Sequence, residues 1–394
     1  MTNKLRIAIV GGGIGGLAAA LALRARGLEA TVFEQAGALR EIGAGLSLGP
    51  NTGRLLERVG LGEGLRTLSA PPSDFMIRTW RGEPVAVTAS THAPNGERGY
   101  MIHRADLLNL LAGALPNGVV RLDHRCVAAE TVGSTARVSF SNGTSIEADV
   151  AIGADGIRSV MQRAIGVKSH PKAEGTMAYR GLIPIERLSW VKQASIGMWV
   201  GPGRSMICYA VSQGRLVNMV AFVPTDRDAE ESWSAPGDIK ALAAEYAGWD
   251  SAVLETIGAL DETFRWGIYD RGPLPYWSTD RMTLLGDAAH PMVPHLGQGA
   301  GQAIEDGFAL AVLLEDAGAD DVPARLRAYE ALRLEDTSRV QAHARNAGIL
   351  FRAGDQDVEA YRKALGALMA QGRWITEHDA EHAAKDMLKS LKTH

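Results

Sequence analysis

The sequence is poor in cysteine. It holds two, Cys126 and Cys208, far apart and outside any Cys-x-x-Cys pair. A disulfide scaffold, a dithiol redox motif and a cysteine-based zinc site are thereby excluded. Net charge is also scarce: 41 basic against 45 acidic residues leave −4 at pH 7. No long block of like charge occurs, so there is neither a polybasic nor an acidic tail, and no nucleic-acid partner is expected. The ten histidines form no His-Glu-x-x-His and no ligand-spaced pair with cysteine, so no metal is expected. His378 and His382, one turn apart beside Glu377 and Glu381, read as a solvated helical face. No apolar run reaches membrane-spanning length. The uncharged stretch Ile7–Leu23 after Lys4 and Arg6 superficially resembles a signal peptide. Five glycines, Gly11, Gly12, Gly13, Gly15 and Gly16, interrupt it. The expectation is a soluble cytoplasmic protein, monomer or homodimer, with no membrane partner.

Glycine is abundant instead, with 45 among 394 residues. No Gly-X-Y period runs through them, and 46% hydrophobic residues exclude low complexity. The glycines must occupy defined backbone positions where a Cβ would clash. At roughly 150 residues per domain, the length suggests two domains and an extra helical piece.

Residues 5–10, rich in branched apolar side chains, read as a buried parallel strand. The glycines follow, then a helix over 17–26 closed by Gly27, then a second strand over 30–34. Residues 43–51 read as another glycine-rich loop before a helix at 52–59. Strands are expected at 75–100, a helix at 105–114, and strands at 119–152 with a turn at Ser141–Gly143. From 171 to 279 the pattern is strand-rich, and Trp190, Trp199, Trp233, Trp249, Trp266 and Trp277 suggest a separate sheet-based unit. Residues 281–285 form a strand leading into a Gly-Asp turn, and helices dominate from 301. The amphipathic tail from about 355 takes apolar positions from Met369, Trp374, Ile375 and Met387.

Gly11-x-Gly13-x-x-Gly16 has three steric jobs. The first glycine permits the tight turn, the second lets backbone approach a pyrophosphate, and the third lets helix and strand pack. The helix N-terminus offers free N–H groups and a positive dipole end to phosphate. Glu34 follows Gly16 by 18 residues, near the ~20 expected of the acid that accepts ribose hydroxyls. Gln35 is its neighbour. The fingerprint suits FAD and NAD alike. A second copy, which would mark a separate nicotinamide domain, does not occur. Nor does the Phe-x-Gly-x-x-x-His-x-x-x-Trp signature of Baeyer–Villiger enzymes.

Two further motifs each follow a strand: Gly153-Ala-Asp155-Gly156, and Gly286-Asp287 leading to Gly297, Gly299 and Gly301. Taken together with the fingerprint, over residues 5–350, the chain resembles the single-component flavoprotein aromatic hydroxylases. The resemblance implies an α/β fold: a Rossmann-like FAD-binding domain, an inserted, mostly antiparallel substrate sheet, and a helical C-terminus. The corresponding division is 1–72, 101–170 and 280–350 for FAD, 73–100 and 171–279 for the substrate sheet, and 351–394 for the terminal helices.

The resemblance also implies roles. FAD would be held by Gly11, Gly13, Gly15, Gly16, Glu34, Gln35, Ser47, Arg104, Asp155, Asp287, Gly299, Ala300 and Gly301, with NADH or NADPH as a transient co-substrate. Asp287 would meet the ribityl chain, Arg104 the ribityl–pyrophosphate region, and Asp155 both FAD and nicotinamide. Reduced flavin and dioxygen would form a flavin hydroperoxide that hydroxylates an electron-rich ring. A base activates such a ring by deprotonating a phenol, and histidine titrates in the right range. His295 and Tyr209 are the expected catalytic pair, with Tyr179, Ser205 and Pro294 in the substrate pocket. His290 reads as support for the Gly-Asp turn. Related sequences often carry histidine at positions 47 or 205, where this chain has serine. No arginine is assignable as a carboxylate anchor, although Arg204 and Arg215 are candidates. The expected substrate is a small phenolic or heteroaromatic acid, salicylate- or hydroxybenzoate-like. The alternatives are hydroxylation or epoxidation of a bulkier natural product, and a flavin-binding protein without catalysis.

Overall fold

The computed structural model describes residues 5–39, 44–71, 73–89, 97–191, 196–225, 235–353 and 357–393. Trp233 and Gly43 lie outside them. The strand Ile7–Val10, fully buried, sits at the centre of a five-stranded sheet. It pairs in parallel with Ala30–Phe33 on one side and Val150–Gly153 on the other. Met282–Leu284 extends that sheet in parallel beyond Val150–Gly153. Parallel strands covered on both faces read as unbroken apolar runs, which is why residues 5–10 were legible. The first helix, Ile14–Ala25, starts inside the glycine fingerprint, and Gly27 follows it at φ +74°. It packs against the long apolar helix Gly299–Leu314. Close approach needs a glycine here, since a Cβ on Gly307 would stand 2.7 Å from the Ala19 Cα.

The second unit is an eight-stranded sheet. Its core strands are the antiparallel neighbours Lys172–Pro184, Leu216–Pro224 and Arg204–Val211, continued by Ile196–Gly201. Asp74–Thr79 and Pro84–Ala89 complete one edge, and Phe264–Asp270 lies towards the other. One face carries a core of its own beneath the short helices Ile239–Glu245 and Ser251–Gly258. Trp199, Trp249 and the half-buried Trp190 belong to that core. Trp277, expected in the same unit, packs in the dinucleotide core instead, beside Tyr329 and His290. The glycine-rich segment expected as a loop forms the strand Gly45–Leu48, antiparallel to Tyr100–His103. Its partner supplies the hydrogen bonds that local sequence does not reveal.

The chain closes with helices Val322–Phe351, Val358–Glu377 and Ala380–Thr393. The last packs across the helix Gly299–Leu314. Arg26 pairs with Glu381 at 2.6 Å, and Arg58 with Asp379 and Glu381 at 2.6 and 2.7 Å. Ile375 is buried and Met387 packs on the main core, while Met369 is exposed. His378 corrects the reading of a solvated face. Its Nδ1 lies 3.1 Å from Glu305 and its Nε2 3.3 Å from Asp336. No described helix is long and apolar enough to cross a membrane.

Candidate active site

One cavity of about 550 Å³ runs from the glycine turn to the insert sheet. At its first end the three fingerprint glycines differ physically. Gly11 adopts φ +113°, and a Cβ there would fall 2.2 Å from the Ala154 carbonyl oxygen. A Cβ on Gly16 would fall 2.0 Å from the Gly11 oxygen. Gly13 has nothing within 4 Å of such an atom and lines the cavity. The first and third are therefore needed for the turn itself, and the second leaves open backbone facing the cavity. Glu34 closes the turn: its carboxylate accepts N–H bonds from Gly12 at 2.7 Å and Ala36 at 2.9 Å.

Along the cavity lie Ser47, Arg104, Asp287, Pro294, Gly299 and Ala300. Arg104 opens the helix Arg104–Gly113. Asp287 is exposed to the cavity and hydrogen-bonds no described residue. The Gly-Asp turn is pinned from behind by Asp306. That carboxylate accepts the Gly286 N–H at 2.9 Å, contacts His290 Nε2 at 2.6 Å and pairs with Arg333 at 2.7 Å. His290 thus buttresses the turn. The open backbone at Gly13, the helix N-terminus at Gly299 and the free Asp287 carboxylate suit an extended dinucleotide with an anionic middle. These residues fit FAD.

The other end is built by strand alternation. Side chains two apart share a face. Ser205, Ile207 and Tyr209 line the cavity from one strand, Asn218, Val220 and Phe222 from the next, and Arg180 from a third. Phe75, Ile196 and Met198 continue the wall. It is thus largely apolar with a few placed polar groups, the usual composition of a site for a small organic molecule. Burial drives the Tyr209 hydroxyl pKa well above its ordinary value, so the group stays a protonated donor.

Five expected positions lie outside the cavity lining or turn their side chains away from it. Tyr179 lies one residue from Arg180 and so faces the other side, in the insert's own core. Arg180 takes the cavity place, half sandwiched by Trp266 at 5.4 Å and Phe264 at 6.0 Å. The His295 backbone borders the cavity, but its imidazole has 0% exposure. It contacts Glu174 at 3.1 Å and Arg352 at 3.0 Å, and its ring lies tilted against Phe222, with centroids 4.8 Å apart. Burial holds its pKa below the ordinary value. Such a ring cannot touch a substrate proton. Asp155 turns its carboxylate into the next helix, accepting from Ser159 Oγ, Val160 N–H and Met161 N–H at 2.5, 2.6 and 3.1 Å. Its neighbours Ala154 and Gly156 line the cavity instead. Gln35 is exposed and outside the lining. Gly301 faces Thr52, whose Oγ1 a Cβ would meet at 2.8 Å.

The candidate anchors Arg204 and Arg215 are engaged elsewhere, with Glu245 at 2.6 Å and the Ser212 carbonyl at 3.1 Å. Arg180 and Asn218 were missed because strand parity and register, not local pattern, put them on this wall. Among the described residues no cluster of potential metal ligands occurs.

Residues 4–344 match the family described as FAD binding domain. A 3-amino-4-hydroxybenzoate 2-monooxygenase of Streptomyces platensis is 42% identical over 359 residues, 90% of either chain. A salicylate hydroxylase of Pseudomonas putida is 34% identical, covering 96% of this chain and 94% of that one. A solved salicylate hydroxylase–substrate complex superposes with a TM-score of 0.85 at 30% identity, over 98% of both chains.

Proposed function

The chain belongs to the FAD-binding family of group A flavoprotein aromatic hydroxylases, and from that premise we propose that it hydroxylates a ring bearing both a phenolic oxygen and a carboxylate. It is an FAD-dependent monooxygenase with reduced nicotinamide as co-substrate. The observation that carries the finer reading is the continuity of one cavity from Gly13 to Tyr209 and Arg180. Cofactor cradle and substrate wall share one cavity, so a ring held on that wall would lie beside the cofactor's path.

Bound FAD, reduced by the nicotinamide, would supply the electrons that activate dioxygen. The chain's own residues do the rest. The open backbone at Gly13 and the N-terminus at Gly299 receive anionic parts of the cofactor. Ser47, Arg104, Asp287 and Ala300 line its path, and Glu34 holds the turn that shapes it. Arg180 anchors the carboxylate: a guanidinium stacked on Trp266 is oriented and partly desolvated, which strengthens a bidentate ion pair. Tyr209 donates to the phenolic oxygen, with Ser205 and Pro294 shaping the pocket. His295 acts from behind, through Glu174 and Arg352, by fixing the segment that carries Pro294. The domain division at residues 72, 100, 170, 279 and 350 remains our proposal, supported by which strands join which sheet.

The relatives narrow the choice of substrate. One is named for 3-amino-4-hydroxybenzoate and another for salicylate. Both are hydroxylated benzoates, and the ortho-amino variant joins them as a candidate. The test is substrate-stimulated oxidation of NADH and NADPH by the holoenzyme across salicylate, 3- and 4-hydroxybenzoate, 6-hydroxynicotinate and 3-amino-4-hydroxybenzoate, with products identified. Coupled product from at least one is expected. Peroxide release alone, across the panel, refutes the reading. With the accepted substrate, Tyr209→Phe should retain FAD and lose about 10- to 100-fold in kcat/KM, the worth of a hydrogen bond to a charged oxygen.

A further inference from the structure

Asn218 is 1% exposed on the cavity wall. Its Oδ1 is already committed, accepting the Gly45 N–H at 2.7 Å. Its Nδ2 has no partner among the described residues. A buried donor left unsatisfied costs about 1–3 kcal/mol, so such a group on a binding wall marks where a ligand acceptor belongs. Asn218 lies directly opposite Tyr209 across the antiparallel pair. The two side chains also converge in space. An added Cβ on Gly45 would meet Asn218 Cβ and Tyr209 Cε2, each at 2.7 Å. They thus press together on the flavin-side strand Gly45–Leu48.

The charged and titratable side chains on this cavity are few among the described residues. Arg180 is on the adjacent strand and Tyr209 is opposite. Arg104 and Asp287 stand on the cofactor side, and His295 offers only backbone. Positions 47 and 205 are serines. No carboxylate or imidazole therefore stands on the insert wall to take a phenol proton. Neutral donors and a cation favour the ionised form of a bound group.

We propose that Asn218 is a specificity-determining residue that donates its amide N–H to the substrate's phenolic oxygen beside the Tyr209 hydroxyl, so that the site selects the phenolate. The proton leaves to solvent as the phenol binds, and no bond other than O–H is broken in this step. Selection by neutral donors replaces deprotonation by a base. This rests on the functional reading above, that the substrate is a hydroxylated aromatic acid.

Asn218→Asp tests it. The aspartate keeps an oxygen for the Gly45 N–H and replaces the donor by an acceptor. Holoenzyme and variant are titrated with 4-hydroxy-3-nitrobenzoate, whose phenolate absorbs visible light, and the pKa of the bound phenol is read directly. Wild type should bind it with a lowered pKa. Asn218→Asp should keep its flavin spectrum, raise that bound pKa by about one unit or more, and raise KM about tenfold, one charge-assisted hydrogen bond being worth that much. If the aspartate variant fails to fold, Asn218→Ala is read the same way. A bound pKa and KM equal to wild type in the folded variant overturn the assignment of Asn218 while leaving the monooxygenase reading intact. A wild type that binds no phenol of the panel overturns both.

Discussion

The sharpest test of the cofactor cradle compares two alanines three residues apart. Gly13 has φ −73° and ψ −178°, a conformation alanine adopts freely, and a Cβ there meets nothing within 4 Å. Gly13→Ala should therefore leave the FAD-free fold intact or stabilise it by about 0.4–1 kcal/mol through the unfolded chain. The same methyl would stand in the cavity, where backbone must approach the pyrophosphate. Losing one charge-assisted backbone hydrogen bond costs about 1.5–3 kcal/mol, so FAD affinity should fall roughly 10- to 100-fold. Gly16 is the opposite case. Its Cβ would lie 2.0 Å from the Gly11 carbonyl oxygen, against about 3.3 Å for the closest ordinary carbon–oxygen contacts. Either the helix or the turn must move by about 1 Å in a packed core, at about 3 kcal/mol. Gly16→Ala should lower the melting temperature of the FAD-free protein by about 3–5 °C. The assays are thermal unfolding of FAD-stripped protein and quenching of flavin fluorescence on titration. A Gly13→Ala protein that binds FAD as wild type does, or a Gly16→Ala protein as stable as wild type without FAD, would refute the division between binding and folding roles.

Other outcomes follow from the buried charges. Arg333 has 0% side-chain exposure and lies 2.7 Å from Asp306 and 3.0 Å from Glu305. Arg333→Leu removes the guanidinium shared by two buried carboxylates and should cost about 3–5 kcal/mol, measured by denaturant unfolding. His378 is raised to about 9: burial opposes the charge, but Asp336 and Glu305 outweigh it. A raised folded pKa gives stability that is complete below the unfolded value near ~6.5 and is lost as pH climbs through about 9. The melting temperature of wild type should therefore converge on that of His378→Gln between pH 6.5 and 9; parallel curves count against the ion pair. Arg180→Gln should raise KM for the acid more than for its carboxamide, since only the former has a charge to anchor; equal effects on both would place the guanidinium in packing alone.

The local pattern carried the dinucleotide half well. A buried parallel strand, a glycine fingerprint and a helix lie within one short stretch, and each constrains the next sterically. Asp287, Gly299 and Ala300 were legible as cavity-lining positions for the same reason, as turn residues between a strand and a helix. The substrate wall was not. Tyr179 and Arg180 are equally good pocket residues by sequence, and only the pleat decides between them. Asn218 carries no motif at all. His295 stands next to cavity-lining Pro294, yet its ring turns to Glu174, which is 121 residues away.

By itself the sequence determined the backbone of the cofactor site, because glycine positions and strand–turn–helix order are local and steric. Tertiary structure alone decided the chemistry of the substrate wall. There, register among strands from distant parts of the chain selects which of two adjacent side chains faces the cavity. The long helices do the same from outside, deciding which histidine is sealed behind the wall and which, like His378, is locked into a buried ion pair.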